Sequence, residues 1–281
     1  MRTLYCVLLP LTAVLVALPN ASAEGISAAN PGCPREMVRV GRTCVDRWEI
    51  STVDAHTGAR LSPFYPPHAN LIRRVREVWE VERHGFGDEG ARRMPLPDLP
   101  DVQRTGSFSP KAISEPGVLP QGYLTYYLAK QVCENAGKRL CTEDEWLTAC
   151  RGSQQTQFPY GGQYVRFKCN VHRLMHPAFV LHGNSSAGHT DPRLNLVDES
   201  GRDPLLRPTG GTPSCTSKWE GGELYDMVGN LDEWVADSSG VFVGGFYSRA
   251  TDKGCDARIS SHSPSYYDYS LGTRCCRDAQ E

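Results

Sequence analysis

The stretch "GKRLCTEDEWLTACRG" occupies residues 137–152. It carries the signals of one short helix with its entry and exit. Thr142 suits the N-cap, and Glu145, three residues on, completes a capping box. Glu143 and Asp144 suit the positive start of the helix. Trp146, Leu147 and Cys150 fall on its inward side. Cys141 and Cys150 stand at the two ends. A helix rising about 1.5 Å per residue sets them roughly 13 Å apart. Disulfide Cα atoms lie within about 7 Å of each other, so these two cannot pair while the helix exists.

Working outward, Gly137 closes a preceding helix over residues 126–136. Thr125 is its N-cap residue, and Ala129, Val132, Cys133 and Ala136 share one face. Upstream, "MVRVGRTCVDRWEIS" (37–51) alternates as a strand that turns at Gly41 and continues. "NLIRRVREVWEVERHG" (70–85) places Leu71, Val75, Val78 and Trp79 at helical spacing, with Gly85 as a stop. The prolines of "MPLPDLPDV" keep that segment extended. Residues 153–225 are rich in Gly, Pro, Ser and Asn, without helical signals. "SSGVFVGGFYS" (238–248) reads as a short strand with a glycine pair, and "SLGTRCCRD" (270–278) as a terminal strand. Adjacent Cys275 and Cys276 point to opposite strand faces, so they take different partners. If the terminal strand lies beside the helix pair, one of them reaches the first helix.

The chain has 281 residues and a formal net charge of −2. Near-neutral charge gives no electrostatic case for nucleic acid. Residues 1–23 read as a secretory signal: Arg2, an apolar run over 4–18, then a small-x-small site ending at Ala23. As a membrane anchor the run is short and interrupted by Pro10. Residues 24–36 read as a flexible leader and 37–281 as the folded domain, with no transmembrane anchor after signal cleavage. The expected location is secreted or periplasmic. Of 11 cysteines, Cys6 leaves with the signal. The others are Cys33, Cys44, Cys133, Cys141, Cys150, Cys169, Cys215, Cys255, Cys275 and Cys276. An even set in an exported chain points to disulfides. Zinc is disfavoured: there is no CxxC pair, and the histidines are scattered. Spacing leaves the connectivity open.

Four segments together resemble the formylglycine-generating enzymes, also called sulfatase-modifying factors. "YLTYYLAKQVCENAGKRLCTEDEWLTACRG" (123–152) resembles that family's helix pair. "LYDMVGNLDEWVAD" (224–237) resembles "LYDMxGNVWEW". "VGGFY" (243–247) resembles "RGGSW", and "LGTRCC" (271–276) resembles "GFRCA". The resemblance implies an α+β fold: an irregular, disulfide-stapled single domain, C-type-lectin-like, with little regular secondary structure. It implies disulfides Cys133–Cys275 and Cys150–Cys255. Cys33–Cys44, Cys141–Cys276 and Cys169–Cys215 would be local additions. It also implies calcium, a hard cation suited to loop carbonyls and carboxylates. The matching ligands are the carbonyls of Val228, Gly229 and Leu231 and the carboxylate of Glu233. A second calcium site would use Asn170 and Val171, with Asp203 offset from the acidic partner's usual place.

The family's oxidation of a sulfatase cysteine to formylglycine rests on two copper-binding cysteines after the "GGSW" element. Two thiolates suit Cu(I). Here Ser248, Arg249 or their neighbours occupy those positions. Cys255, in "GCDAR", matches a structural cysteine. No catalytic residue is therefore assigned, copper is not expected, and enzymatic activity is left open. The expected function is an exported, calcium-stabilised binding or structural module for a protein, peptide or glycan. A divergent oxidase of protein or peptide cysteine is the alternative. "HSPSYYDYS" (262–270) would line the former substrate groove or pack as ordinary loop, and His262 alone is a poor catalytic candidate.

Overall fold

The computed structural model describes residues 30–82, 87–199, 201, 203–249 and 251–280. The signal segment, leader residues 24–29 and the Gly85 helix stop lie outside the described residues. In chain order the strands are β1 (Met37–Val40), β2 (Thr43–Asp46), β3 (Ile50–Asp54), β4 (Pro110–Ser114), β5 (Arg139–Leu140), β6 (Asp198–Glu199) and β7 (Asp203–Pro204). There follow β8 (Thr216–Trp219), β9 (Gly222–Tyr225), β10 (Asp232–Trp234), β11 (Phe242–Val243), β12 (Arg258–Ile259), β13 (Leu271–Thr273) and β14 (Cys275–Asp278). The helices are α1 (Ala69–Glu82), α2 (Glu89–Arg93), α3 (Asp101–Thr105), α4 (Tyr126–Asn135), α5 (Glu143–Arg151) and α6 (Pro177–His182).

Two four-stranded sheets organise the molecule, ordered β1-β2-β14-β5 and β12-β11-β10-β13. The terminal segment expected as one strand is two. β13 pairs parallel with β10, whereas β14 pairs antiparallel with β2 and β5. The break falls at Arg274, whose buried side chain has partners of its own, described below. One short segment thus stitches both sheets together. Pairs β3-β4, β6-β7 and β8-β9 complete the described pairings.

The helix pair forms as its capping signals dictate. The Thr125 hydroxyl accepts from the Leu128 amide at 3.0 Å. At α5 the Thr142 hydroxyl accepts from Glu145 N–H, and the Glu145 carboxylate accepts from Thr142 N–H at 2.8 Å. Trp146, Ala149 and Cys150 are buried, while Leu147 is only partly covered. In α1 the buried residues are Ile72 and Val75; Leu71, Val78 and Trp79 lie half-buried. The helical period was right, but its buried face is turned by one residue from Leu71 to Ile72. Helix α6 was not anticipated: six residues give too short a periodic window.

Five disulfides join Cys33–Cys44, Cys133–Cys275, Cys141–Cys276, Cys150–Cys255 and Cys169–Cys215, with Cα atoms 4.7–5.7 Å apart. These are the five pairs named above. Adjacent Cys275 and Cys276 anchor β14 to α4 and to the start of α5, from opposite faces. The expectation of a loose leader fails for residues 30–36. Asn30 is buried, donates to the Met37 carbonyl at 2.9 Å and accepts from the Arg39 amide at 2.8 Å. Gly32 accepts from the Gln280 amide at 3.0 Å. These bonds and Cys33 hold the segment against both chain ends of the first sheet.

Candidate functional site

The segment "DMVGNLDEW" (226–234) forms the centre of the fold. Gly229 has φ +86°, and a Cβ there would lie 2.4 Å from the Asn170 carbonyl oxygen, so only glycine fits. Asn230 also has positive φ (61°). It accommodates this because its side chain and backbone are fully engaged. Its amide nitrogen donates to Glu49 Oε2 at 2.6 Å and to the Arg207 carbonyl at 3.1 Å. Its Oδ1 accepts from Asn170 and from the Arg207 amide, both at 3.0 Å. Glu49 Oε1 accepts from the Leu231 amide at 2.9 Å. A buried carboxylate from the start of the chain thus braces the turn.

Beside this turn, Glu233, Glu49 and Asp226 surround Arg274, and all four are buried. Arg274 Nη2 and Nε donate to Glu233 Oε1 at 2.7 and 3.1 Å, and Nε to Oε2 at 2.8 Å. Trp146 Nε1 donates to Oε2 at 2.6 Å. The guanidinium also donates to the Asp46 carbonyl at 3.0 Å and the Tyr225 carbonyl at 2.9 Å. Burial pushes the Asp226 carboxyl up to about 7 against the pull of the Gly210 amide and Arg274. Burial, with Asp226 and Glu233 adding repulsion, raises Glu49 well above its usual value. With one guanidinium among three buried acids, Glu49 and Asp226 hold their protons to higher pH than usual.

The implied calcium ligands can be tested against this geometry. Both oxygens of Glu233 are already claimed by Arg274 and Trp146, so the one carboxylate of the first set offers no open position. At the second set, Asn170 donates to the Leu205 carbonyl at 2.8 Å, and its backbone carbonyl accepts from the Asn230 amide at 3.0 Å. Its Oδ1 receives Arg173 Nη1 at 3.3 Å. Arg173 in turn pairs with Asp203 at 2.8 Å and Glu199 at 3.0 Å. Val171 is buried beside it. Among the described residues, no three His, Cys, Asp or Glu side chains come together as a metal-holding group. In both places a guanidinium stands against the acid that the resemblance would give to calcium.

Ser248 and Arg249, at or beside the positions expected for the family's copper pair, hold other chemistry. Ser248 donates to the Met175 carbonyl at 2.9 Å. Arg249 lies over the Phe246 ring and pairs with Asp232 Oδ1 at 2.5 Å. Asp232 is buried, and also accepts from the Gly245 amide at 3.0 Å. Among the described residues its Oδ2 has no hydrogen-bond partner. Burial raises its carboxyl to about 7, with Arg249 opposing. Cys255 is bonded to Cys150, so it carries no thiolate.

Around this point Phe246, Tyr247, Tyr269, His176 and His189 make an edge-to-face aromatic group, with His176 centred 6.2 Å from Tyr269 and 6.4 Å from Phe246. Burial, then His189, lowers the His176 imidazole. His262, further along, stacks on Tyr266 at 4.1 Å and Phe242 at 5.6 Å. Tyr266 donates to Asp268 at 2.6 Å. That aromatic segment is largely packed by its own contacts. Sequence reading missed Glu49, Asp232 and His176. Asp232 was within reach, since it stands where the resembling motif has tryptophan. Glu49 and His176 lie outside any motif, and only the fold brings them in.

The model of the sulfatase-modifying factor enzyme 1-like domain matches residues 96–279. A formylglycine-generating enzyme of Thermomonospora curvata is 31% identical over 249 residues, covering 78% of this chain and 75% of that protein. The chain belongs to the sulfatase-modifying factor family. Among solved structures, PvdO from Pseudomonas aeruginosa is similar at 16% identity and a TM-score of 0.40, over 84% of this chain and 80% of that one. CarF is similar at 14% identity and a TM-score of 0.39, over 85% and 87%.

Proposed function

We propose that this chain is an exported, disulfide-stapled member of its family that does not oxidise cysteine to formylglycine, and that it serves as a binding or structural module. The supporting observation is the place of the copper pair. It holds the Arg249–Asp232 ion pair and Ser248, while Cys255 is spent in a staple. Soft Cu(I) needs thiolates, and a guanidinium repels it. All ten cysteines beyond Cys6 lie in disulfides, which suits an oxidising compartment outside the cytosol. Among the described residues no helix is long and apolar enough to cross a membrane. At the places where the family resemblance implied calcium, Arg274 pairs with Glu233 and Arg173 with Asp203. The test is oxygen uptake by the native protein with copper and a cysteine-containing peptide. No uptake above the copper-only background is expected. Saturable, protein-dependent formation of formylglycine would overturn this reading in favour of the divergent oxidase.

A further inference from the structure

A second feature lies apart from the Arg249–Asp232 region. After α5 ends, the turn at 151–156 meets strand β8 and the loops before Cys169 and Cys215. Together they enclose a groove of about 420 Å³. Such a volume lies in the range of small-molecule sites. Its charged lining is Arg151, Lys168 and Lys218, without a carboxylate. Arg151 is fixed by Asp256 at 2.7 Å. Neither lysine has a salt-bridge partner among the described residues. Ser214, Thr216 and the flat ring of Tyr160 complete the wall.

The groove is held in shape. Arg151 follows Cys150, Lys168 precedes Cys169, and Ser214 and Thr216 flank Cys215. Two disulfides, Cys150–Cys255 and Cys169–Cys215, therefore pin its lining. The Ser214 hydroxyl donates to the Lys168 carbonyl at 2.7 Å, which ties the two loops together. The Ser153 amide donates to the Lys218 carbonyl at 3.0 Å, which ties the α5 exit to β8. Tyr160 stacks on Phe158 at 5.4 Å, and its hydroxyl accepts from the Val165 amide at 3.1 Å, so the ring is a fixed platform. A site whose walls are already ordered loses little conformational entropy on binding.

We propose that this groove binds a small sugar bearing a sulfate or phosphate ester. Two unpaired lysines and an anchored arginine supply the charge for a tetrahedral oxyanion. The volume exceeds what a bare oxyanion fills. The hydroxyls and the aromatic ring match a polyhydroxyl ring with one apolar face. This assignment does not depend on whether the chain acts on cysteine.

Isothermal titration of the full chain with glucose 6-sulfate, glucose 6-phosphate and glucose tests it. Both esters should bind, at a dissociation constant of about 10 µM to 1 mM, and more weakly as salt rises. Glucose should bind at least about tenfold more weakly, as expected from loss of a charge-assisted contact. The Lys168→Ala/Lys218→Ala variant should lose about tenfold or more in ester affinity, for the same reason. Lys168→Arg/Lys218→Arg should retain binding, which separates charge from folding, and the melting temperature of each variant should match the wild type. Equal binding of glucose and its esters, ester binding undiminished in the alanine variant, or no binding of either ester would overturn the proposal.

Discussion

Replacing Arg274 with methionine removes the buried guanidinium that Glu233, Glu49 and Asp226 surround. Five hydrogen bonds to four acceptors are lost, those to both Glu233 oxygens and to the Asp46 and Tyr225 carbonyls, and with them the tie at the junction of β13 and β14. Breaking one side of a buried ion pair costs about 3–5 kcal/mol, because the remaining charge is left without compensation. Arg274→Met is therefore expected to lose about 3–5 kcal/mol in urea unfolding, followed at pH 8 with the disulfides intact. In Glu233→Gln the Trp146 indole keeps an acceptor, so pairing it with Arg274→Met should restore part of the loss. The double variant should be more stable than the sum of single effects by about 1–3 kcal/mol. The deficit of Arg274→Met should shrink at pH 5, where Asp226 takes up a proton. An Arg274→Met protein within about 1 kcal/mol of wild type, or strict additivity in the double variant, would refute the buried-charge account.

The pH profile has a defined sign. Asp46, Asp226 and Asp232 are raised by burial to about 6, 7 and 7 in the folded protein. Between about pH 4 and 7 the folded state therefore binds more protons than the unfolded chain, and stability falls as pH rises. The melting temperature should be higher near pH 5 than at pH 8, by the equivalent of a few kcal/mol; a flat or rising profile would contradict this. Below about pH 4.5 the trend reverses. Burial pushes Glu145 up, but hydrogen bonds from Arg139, Thr142 and Thr43 outweigh it and hold the carboxyl at about 2, so its contribution is lost on acidification. Chelation is the next check: excess EDTA should leave the melting temperature within about 1 °C, since a tightly bound ion would add several kcal/mol by mass action. A large drop reversed by calcium would show that a cation shares the Glu233 or Asn170 set. Thr142→Ala should cost about 1 kcal/mol in urea unfolding through loss of the α5 cap, and no loss would mean the capping box is not needed.

The helix pair was legible because capping chemistry is local. Thr125, Thr142 and Glu145 each act within three residues of themselves. Of the disulfide framework, helix geometry excluded a Cys141–Cys150 pair and the family resemblance implied Cys133–Cys275 and Cys150–Cys255; the other three pairs had no such warrant, since spacing alone leaves connectivity open. What escaped was long-range. Glu49 meets Asn230 across 181 residues, and no periodicity encodes that. The Glu233–Arg274 pair joins two motifs that were each visible, but nothing in the chain says that Arg274 faces Glu233. The break between β13 and β14 was hidden for a similar reason: a continuous run of strand formers can change sheets at one residue. The leader failed differently. Small polar residues read as loose, yet Asn30 is held by the backbone of Met37 and Arg39, and Gly32 by the Gln280 amide from far along the sequence.

The central claim is that no thiolate pair exists for copper in the native protein. A free-thiol titration of the unreduced chain under denaturing conditions tests it most directly, with peptide mapping of the bridges. The expected result is no titratable thiol beyond Cys6, and the five pairs found intact. Two or more free thiols, or Cys255 found unpaired from Cys150, would contradict it.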